Sequence, residues 1–246
     1  MTARERIQGI LASQEVDRIA LLDRDIILLP ENAPASEDKF LLLKADGPFQ
    51  RLSVRYGLEG ALTQFIREPR NTLEFFKQSC ENIFAEYKKK LHEGLRVDGI
   101  WIGEDIAYQQ GLLFSMKSYR AQLLGVHRAI MDYFIDHGAS VFFHCDGNIE
   151  QLLPLMVEMR VSAMHPFEES ANPNLLEIKN DLQGAMTFIG GVGFTRLRDI
   201  RLITERVRAL SEKGNYIFSF DGPIENNLSR NEYDSILNEI ELIGRA

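Results

Sequence analysis

From residue 97 onward one hydrophobic pattern recurs. A short apolar run opens after a Gly or Val-Asp turn, ends in polar or Gly residues, and gives way to an amphipathic helical stretch. The runs are Val97–Ile102, Ser140–Phe143, Val161–Met164, Met186–Ile189 and Tyr216–Phe218, with helices predicted near Met116–His137, Ile149–Arg160, Asn174–Gln183 and Arg198–Lys213. Strands that short and continuous, alternating with helices, specify parallel βα units covered on both faces. His137-Gly138 and Lys213-Gly214 each place a cation and then a Gly where a helix should end. Upstream, Phe40–Leu43 is a further strand, followed by Ala45-Asp46-Gly47-Pro48-Phe49 and a long helical region from Arg51 to about Glu93. Ile19–Leu22 and Ile26–Leu29 are both apolar but only three residues apart, too close for consecutive strands of a parallel sheet. The count is about seven strands, one short of a closed barrel of eight strand–helix units. Pro30–Lys39, rich in Pro, Ala and acids, reads as an exposed loop.

Length fits that architecture: 246 residues suit a single barrel domain, 1–246, with no repeat or linker that would divide it. The formal net charge of −8 lacks the field of a nucleic-acid or anionic-membrane binder. Cys80 and Cys145 are too few for a disulfide scaffold or an all-thiolate zinc cage. The charged, helical start differs from a signal peptide, and no apolar run approaches the ~20 residues of a membrane span. These features lead us to expect a reduced, cytoplasmic protein.

In parallel α/β folds the loops after the strand C-termini carry the site. Here those ends read Asp46-Gly47, Gly103-Glu104-Asp105, His144-Cys145-Asp146-Gly147-Asn148, His165-Pro166-Phe167-Glu168-Glu169, Gly190-Gly191-Val192-Gly193 and Ser219-Phe220-Asp221-Gly222. His144 and Asp146, at the end of a buried strand, can supply metal ligands or an acid–base pair. The plainer reading has Asp146 and Asn148 capping the next helix and Gly147 making the turn. Glu104 and Asp105 are either a solvated turn or a carboxylate pair facing the site, and His165 is a further catalytic candidate. Asp46, Gly47, Gly190 and Gly191 are the candidates for cofactor contact. The 190–193 glycines can cradle an anion through their N–H groups or make a tight strand-to-helix turn. Cys145, next to His144, should face the other way and be structural, and Cys80 should pack. His92, His127 and His137 read as solvent-facing or cap residues.

Taken in order, DGPF, DGIWIGEDIAYQQGLLFS, HGASVFFHCDGNIEQLLP, VSAMHPFEE, MTFIGGVG and GNYIFSFDGPI resemble the uroporphyrinogen decarboxylase superfamily, which includes cobalamin-dependent methyltransferases. The resemblance implies a (β/α)8 TIM barrel with a shortened N-terminal half, whose open flank is covered by a homodimer or by the 26–43 segment. The decarboxylases carry an Arg-rich loop after the first strand, where this chain reads LLDRDIILLP with a lone Arg24. The methyltransferase branch holds zinc with an H-x-C element and a distant Cys. His144 matches that His, Asp146 stands where the Cys would be, and Asp221 falls near the second Cys. The implied site is therefore zinc or another divalent metal on His144, Asp146 and Asp221, with Glu104 or Asp105 as fourth ligand. The implied function is corrinoid-linked one-carbon transfer on a methylated compound, with a corrinoid protein as partner. The alternatives are decarboxylation of a tetrapyrrole and a non-catalytic corrinoid-binding barrel.

Overall fold

The computed structural model describes residues 1–29, 36–222 and 227–243. Most of the predicted Pro30–Lys39 loop, and residues 223–226 of the last motif, lie outside the described residues. The chain divides into two compact units, one of residues 1–27, 36–40 and 162–246, the other of residues 28–35 and 41–161.

In the first unit the strands Ala20–Leu21, Tyr216–Phe218, Thr187–Ile189 and Ala163–His165 lie side by side in that order, each pair parallel. They are two or three residues long and almost wholly buried, as strands covered on both faces must be. Helices Ala3–Leu11, Leu175–Asp181, Ile200–Ser211 and Arg230–Ile243 accompany them. A buried carboxylate ties the N-terminal helix to the first strand. Asp25 accepts from Arg6 (2.8 Å), from Arg18 (2.8 and 2.9 Å) and from the Leu21 N–H (2.8 Å). Arg24 reaches the C-terminal helix instead, at Asn238 (2.9 Å) and Glu241 (3.1 Å).

In the second unit Phe40–Asp46, Gly99–Gly103 and Ser140–His144 are parallel neighbours in that order. The predicted long helix divides into Pro48–Arg67 and Pro69–His92, and the first is itself interrupted at Gly57, whose φ of +71° and ψ of 162° are not helical. Pro69 restricts Glu68, whose φ of −124° breaks the run. The Met116–His137 stretch likewise divides into Met116–Gln122 and Leu124–Asp136. Elements the pattern did not predict include the hairpin Ala107–Tyr108/Gly111–Leu112 and the C-terminal helix.

The fold is α/β, an eight-stranded barrel of the (β/α)8 class. Among the described residues this sheet has eight strands rather than seven because both early apolar runs are strands, Ala20–Leu21 and Ile26–Leu29, joined by a helix of only four residues, Leu22–Asp25. The two runs are not parallel neighbours of each other, since Ala20–Leu21 pairs with Tyr216–Phe218.

Candidate functional site

Register divides the side chains of the 41–161 unit between two faces. Phe143 meets the ring of His127 on helix Leu124–Asp136, so odd-numbered positions of its strand face the helices. The opposite face carries His144, Phe142 and Trp101, whose rings stack at 5.8 and 6.4 Å between centroids. Across the strands, Asp46, Gly103 and His144 form one rung of that face, and Lys44, Trp101 and Phe142 the rung below. Its C-terminal end is therefore polar, and the rung below is aromatic at Trp101 and Phe142 with a charge, Lys44, on the Phe40–Asp46 strand.

His144 Nε2 lies 3.6 Å from Asp105 Oδ1 and 3.8 Å from Asp146 Oδ1. The three side chains place one ligand atom each within 4.8 Å of one another, the one such His/Cys/Asp/Glu group among the described residues. The Asp146 N–H reaches Asp105 Oδ1 at 3.3 Å and orients that carboxylate. His144 and Asp105 are part-exposed and Asp146 exposed. One metal at the usual ~2.1 Å from N and O ligands holds them no more than ~4.2 Å apart, and both histidine–carboxylate separations fall inside that limit. These residues fit a divalent ion bound through one imidazole and two carboxylates.

Glu104, adjacent to Asp105, goes elsewhere, which corrects its assignment as a fourth ligand. It is fully buried. Its carboxylate accepts the N–H groups of Phe49 (3.0 Å) and Gln50 (2.9 Å) and His127 Nε2 (2.8 Å). His127 is thus neither solvent-facing nor a cap. A carboxylate only accepts, so Nε2 donates, and in the neutral ring Nδ1 takes the Tyr119 hydroxyl at 3.0 Å. Burial and then the Glu104 charge push the Tyr119 hydroxyl pKa up, so it remains a donor. The DGPF sequence is explained by this carboxylate. Pro48 opens the helix without an N–H, the next two amides bind Glu104, and Gly47 lets it approach. A Cβ on Gly47 would meet Glu104 Oε2 at 2.3 Å. The Glu104 N–H in turn donates to the His144 carbonyl at 2.8 Å. The signal for His127 was present in the sequence: with Leu123, Ile130, Met131 and Phe134, all buried, it lies on the helix's core stripe.

Around His144 the plainer reading holds in part: the helical turns that follow, Glu150–Leu152 and Leu153–Glu158, have no side-chain cap at their N-cap residues, so Asp146 does not cap them, but the turn itself is as expected. Asn148 Oδ1 accepts the Glu150 N–H at 3.2 Å, and Gly147 has φ +89° with Tyr108 O only 2.6 Å from an added Cβ. Cys145 is buried, and desolvation pushes its thiol pKa up; Cys80 is pushed up to about 12 for the same reason.

In the other unit His165 Nε2 lies 3.4 Å from Ser219 Oγ. Asp221, expected as a metal ligand, holds two loops together. Its Oδ2 accepts the Glu169 N–H (2.7 Å) and its Oδ1 the Val192 N–H (2.8 Å). Burial raises its pKa to about 7 against the pull of those amides, with the Glu169 charge adding to the rise. The glycines are corrected too. Gly190 and Gly191 donate to the carbonyls of Ile217 (3.3 Å) and Pro166 (3.0 Å), and Gly193 donates to Glu169 Oε2 (3.1 Å). The Gly47 N–H donates to the Gly103 carbonyl at 2.7 Å. These amides are engaged inside the fold, so the 190–193 segment is a tight turn and not an anion cradle. Gly190 is required there, since φ is +100° and an added Cβ would lie 1.9 Å from Pro166 O. Arg196 braces the same loop through Glu169, at 2.9 and 3.0 Å from Nε.

No protein-family model matches the chain, and none of the curated proteins compared with it matches. Among solved structures, a methyltransferase from Methanosarcina mazei has a TM-score of 0.73, covering 97% of this chain and 99% of that one at 13% identity. At that identity the likeness speaks for the barrel fold. No helix among the described residues is long and apolar enough to cross a membrane.

Proposed function

We propose that the protein is a methyltransferase-like barrel enzyme whose chemistry centres on a divalent metal held by His144, Asp105 and Asp146. The observation that carries this reading is the convergence of those three side chains at the C-terminal end of a buried strand. Three protein ligands leave a coordination position open, as catalytic rather than structural sites do. The bound ion would act as a Lewis acid, lowering the pKa of a thiol or hydroxyl acceptor. Trp101 stacks against the imidazole of His144, and the Asp146 N–H fixes Asp105. Glu104 holds the His144 strand end through its own amide, so it positions the centre without belonging to it. The matched solved structure is named a methyltransferase, which is why methyl transfer is preferred here; the corrinoid donor rests on the sequence resemblance alone.

Trp101 is the chain's sole tryptophan, so its emission reports on the centre directly. Co²⁺ added to metal-stripped protein should quench it saturably at one ion per chain, Zn²⁺ should compete, and His144→Ala should abolish the response. Undiminished quenching in His144→Ala would remove the metal assignment. For the reaction, the protein should transfer methyl groups from methylcobalamin to a small thiol, releasing the thiol proton, and His144→Ala should not. Equal rates with the two proteins would refute methyl transfer at this centre.

A further inference from the structure

The face that carries His144 also holds two charges outside the metal centre, Lys44 and Asp46. Along the Phe40–Asp46 strand, Leu41, Leu43 and Ala45 face the helices and are buried, while the other face passes from buried Leu42 to exposed Lys44 and then exposed Asp46. The unshielded face of such a strand is normally apolar until the rung of the site itself. Lys44 breaks that rule one rung early, beside Trp101. Among the described residues it has no ion-pair or hydrogen-bond partner. Its ammonium therefore faces solvent or a ligand.

The rung above has a gap. Gly103 separates Asp46 from His144, and a Cβ placed there would find nothing nearer than Ala45 O at 3.9 Å and Asp46 Oδ1 at 4.0 Å. Two strand spacings of ~4.8 Å and one rung of ~6.6 Å put the Lys44 and His144 Cα atoms about 12 Å apart. The lysine side chain spans about half of that, and the remainder fits a molecule of a few carbons.

We propose that Lys44 receives a carboxylate of a small organic acid lying in the space beside Gly103, its other end at His144. The inference deepens the metal-centre reading and rests on it for what that other end meets. The anion is a carboxylate and not a phosphate on the chemistry of the face. A lone ammonium offers a point charge without an arginine fork, the Gly47 amide is already engaged, and Asp46, whose Oδ1 borders the space beside Gly103, repels a dianion more strongly than a monoanion.

The test uses metal-stripped full-length protein and the emission of Trp101. Acetate, butyrate, benzoate, inorganic phosphate and the neutral butyramide are titrated in turn. At least one carboxylate should shift the emission saturably, with butyramide and phosphate weaker. Lys44→Met should weaken that carboxylate about tenfold or more, as loss of one charge-assisted hydrogen bond requires, and Lys44→Arg should restore most of it. Circular dichroism melts establish that each variant is folded. No saturable response to any of the three carboxylates, equal binding by Lys44→Met, or tighter binding of phosphate would each overturn the assignment. The titration contains no metal, so an intact carboxylate response with failed Co²⁺ quenching would refute the metal centre alone.

Discussion

Glu104 and Asp105 are adjacent carboxylates with opposite expected roles, and mutation separates them. Truncating Glu104 to Ala leaves three buried donors without an acceptor, the amides of Phe49 and Gln50 and the imidazole of His127. Leaving a buried donor without its acceptor costs ~1–3 kcal/mol, most of it the desolvation of the stranded group. The cavity left by the side chain adds to this, so we expect a loss of about 4 kcal/mol. For a chain of this size 1 kcal/mol shifts Tm by roughly 2–4 °C, so Glu104→Ala should melt about 12 °C below the wild type. Asp105→Ala removes a part-exposed side chain from the metal group. It should stay within about 0.5 kcal/mol of wild type in stability while losing Co²⁺ quenching of Trp101. Thermal and urea unfolding followed by circular dichroism, alongside the quenching titration, measure both quantities. A Glu104→Ala protein melting within about 2 °C of wild type would show that the carboxylate is not the anchor described. Loss of metal response in Glu104→Ala at a temperature where it is folded, with Asp105→Ala unaffected, would exchange the two roles.

Two further expectations concern the same framework. Gly47→Ala should destabilise although its φ of −69° suits alanine, because the new Cβ would collide with a pinned Glu104 carboxylate at 2.3 Å. Pairing it with Glu104→Ala should recover most of the loss in a urea titration, and simple additivity of the two would show that the contact is not the cause. Asp221 sets a pH dependence. Its folded pKa of about 7 stands above the ordinary aspartate value of 3.8, so the folded state holds the extra proton between them. Its contribution to stability therefore falls as pH rises from about 4 to 7. Asp221→Asn should gain on the wild type in Tm across that window, and a gap that stays constant with pH would contradict the buried, proton-retaining carboxylate.

The strand–helix alternation was legible from residue 97 onward because each run is apolar on both faces, and period and length then leave few alternatives. Tyr216–Phe218 came out as expected, and the barrel class followed from the alternation. His144 and Asp146 were legible as candidates because polar residues ending a buried strand have few structural reasons to be there, and the structure brings them together with Asp105. What sequence could not supply was the direction of neighbouring side chains. Glu104 and Asp105 are equivalent on paper, and only the packing of helix Pro48–Arg67 against the strand end sends one into the core and leaves the other beside His144. The same holds for the glycines. Whether an N–H awaits an anion or serves a neighbouring carbonyl depends on residues distant in the chain, such as Pro166 for Gly191. Asp221 looked like a ligand by position and became a loop tie because two backbone amides, from Glu169 and Val192, reach it first. Periodicity along the chain is a local property and can be read from the chain. The partner of a polar group is settled by which segments the fold brings within ~3 Å, and local patterning carries no record of that.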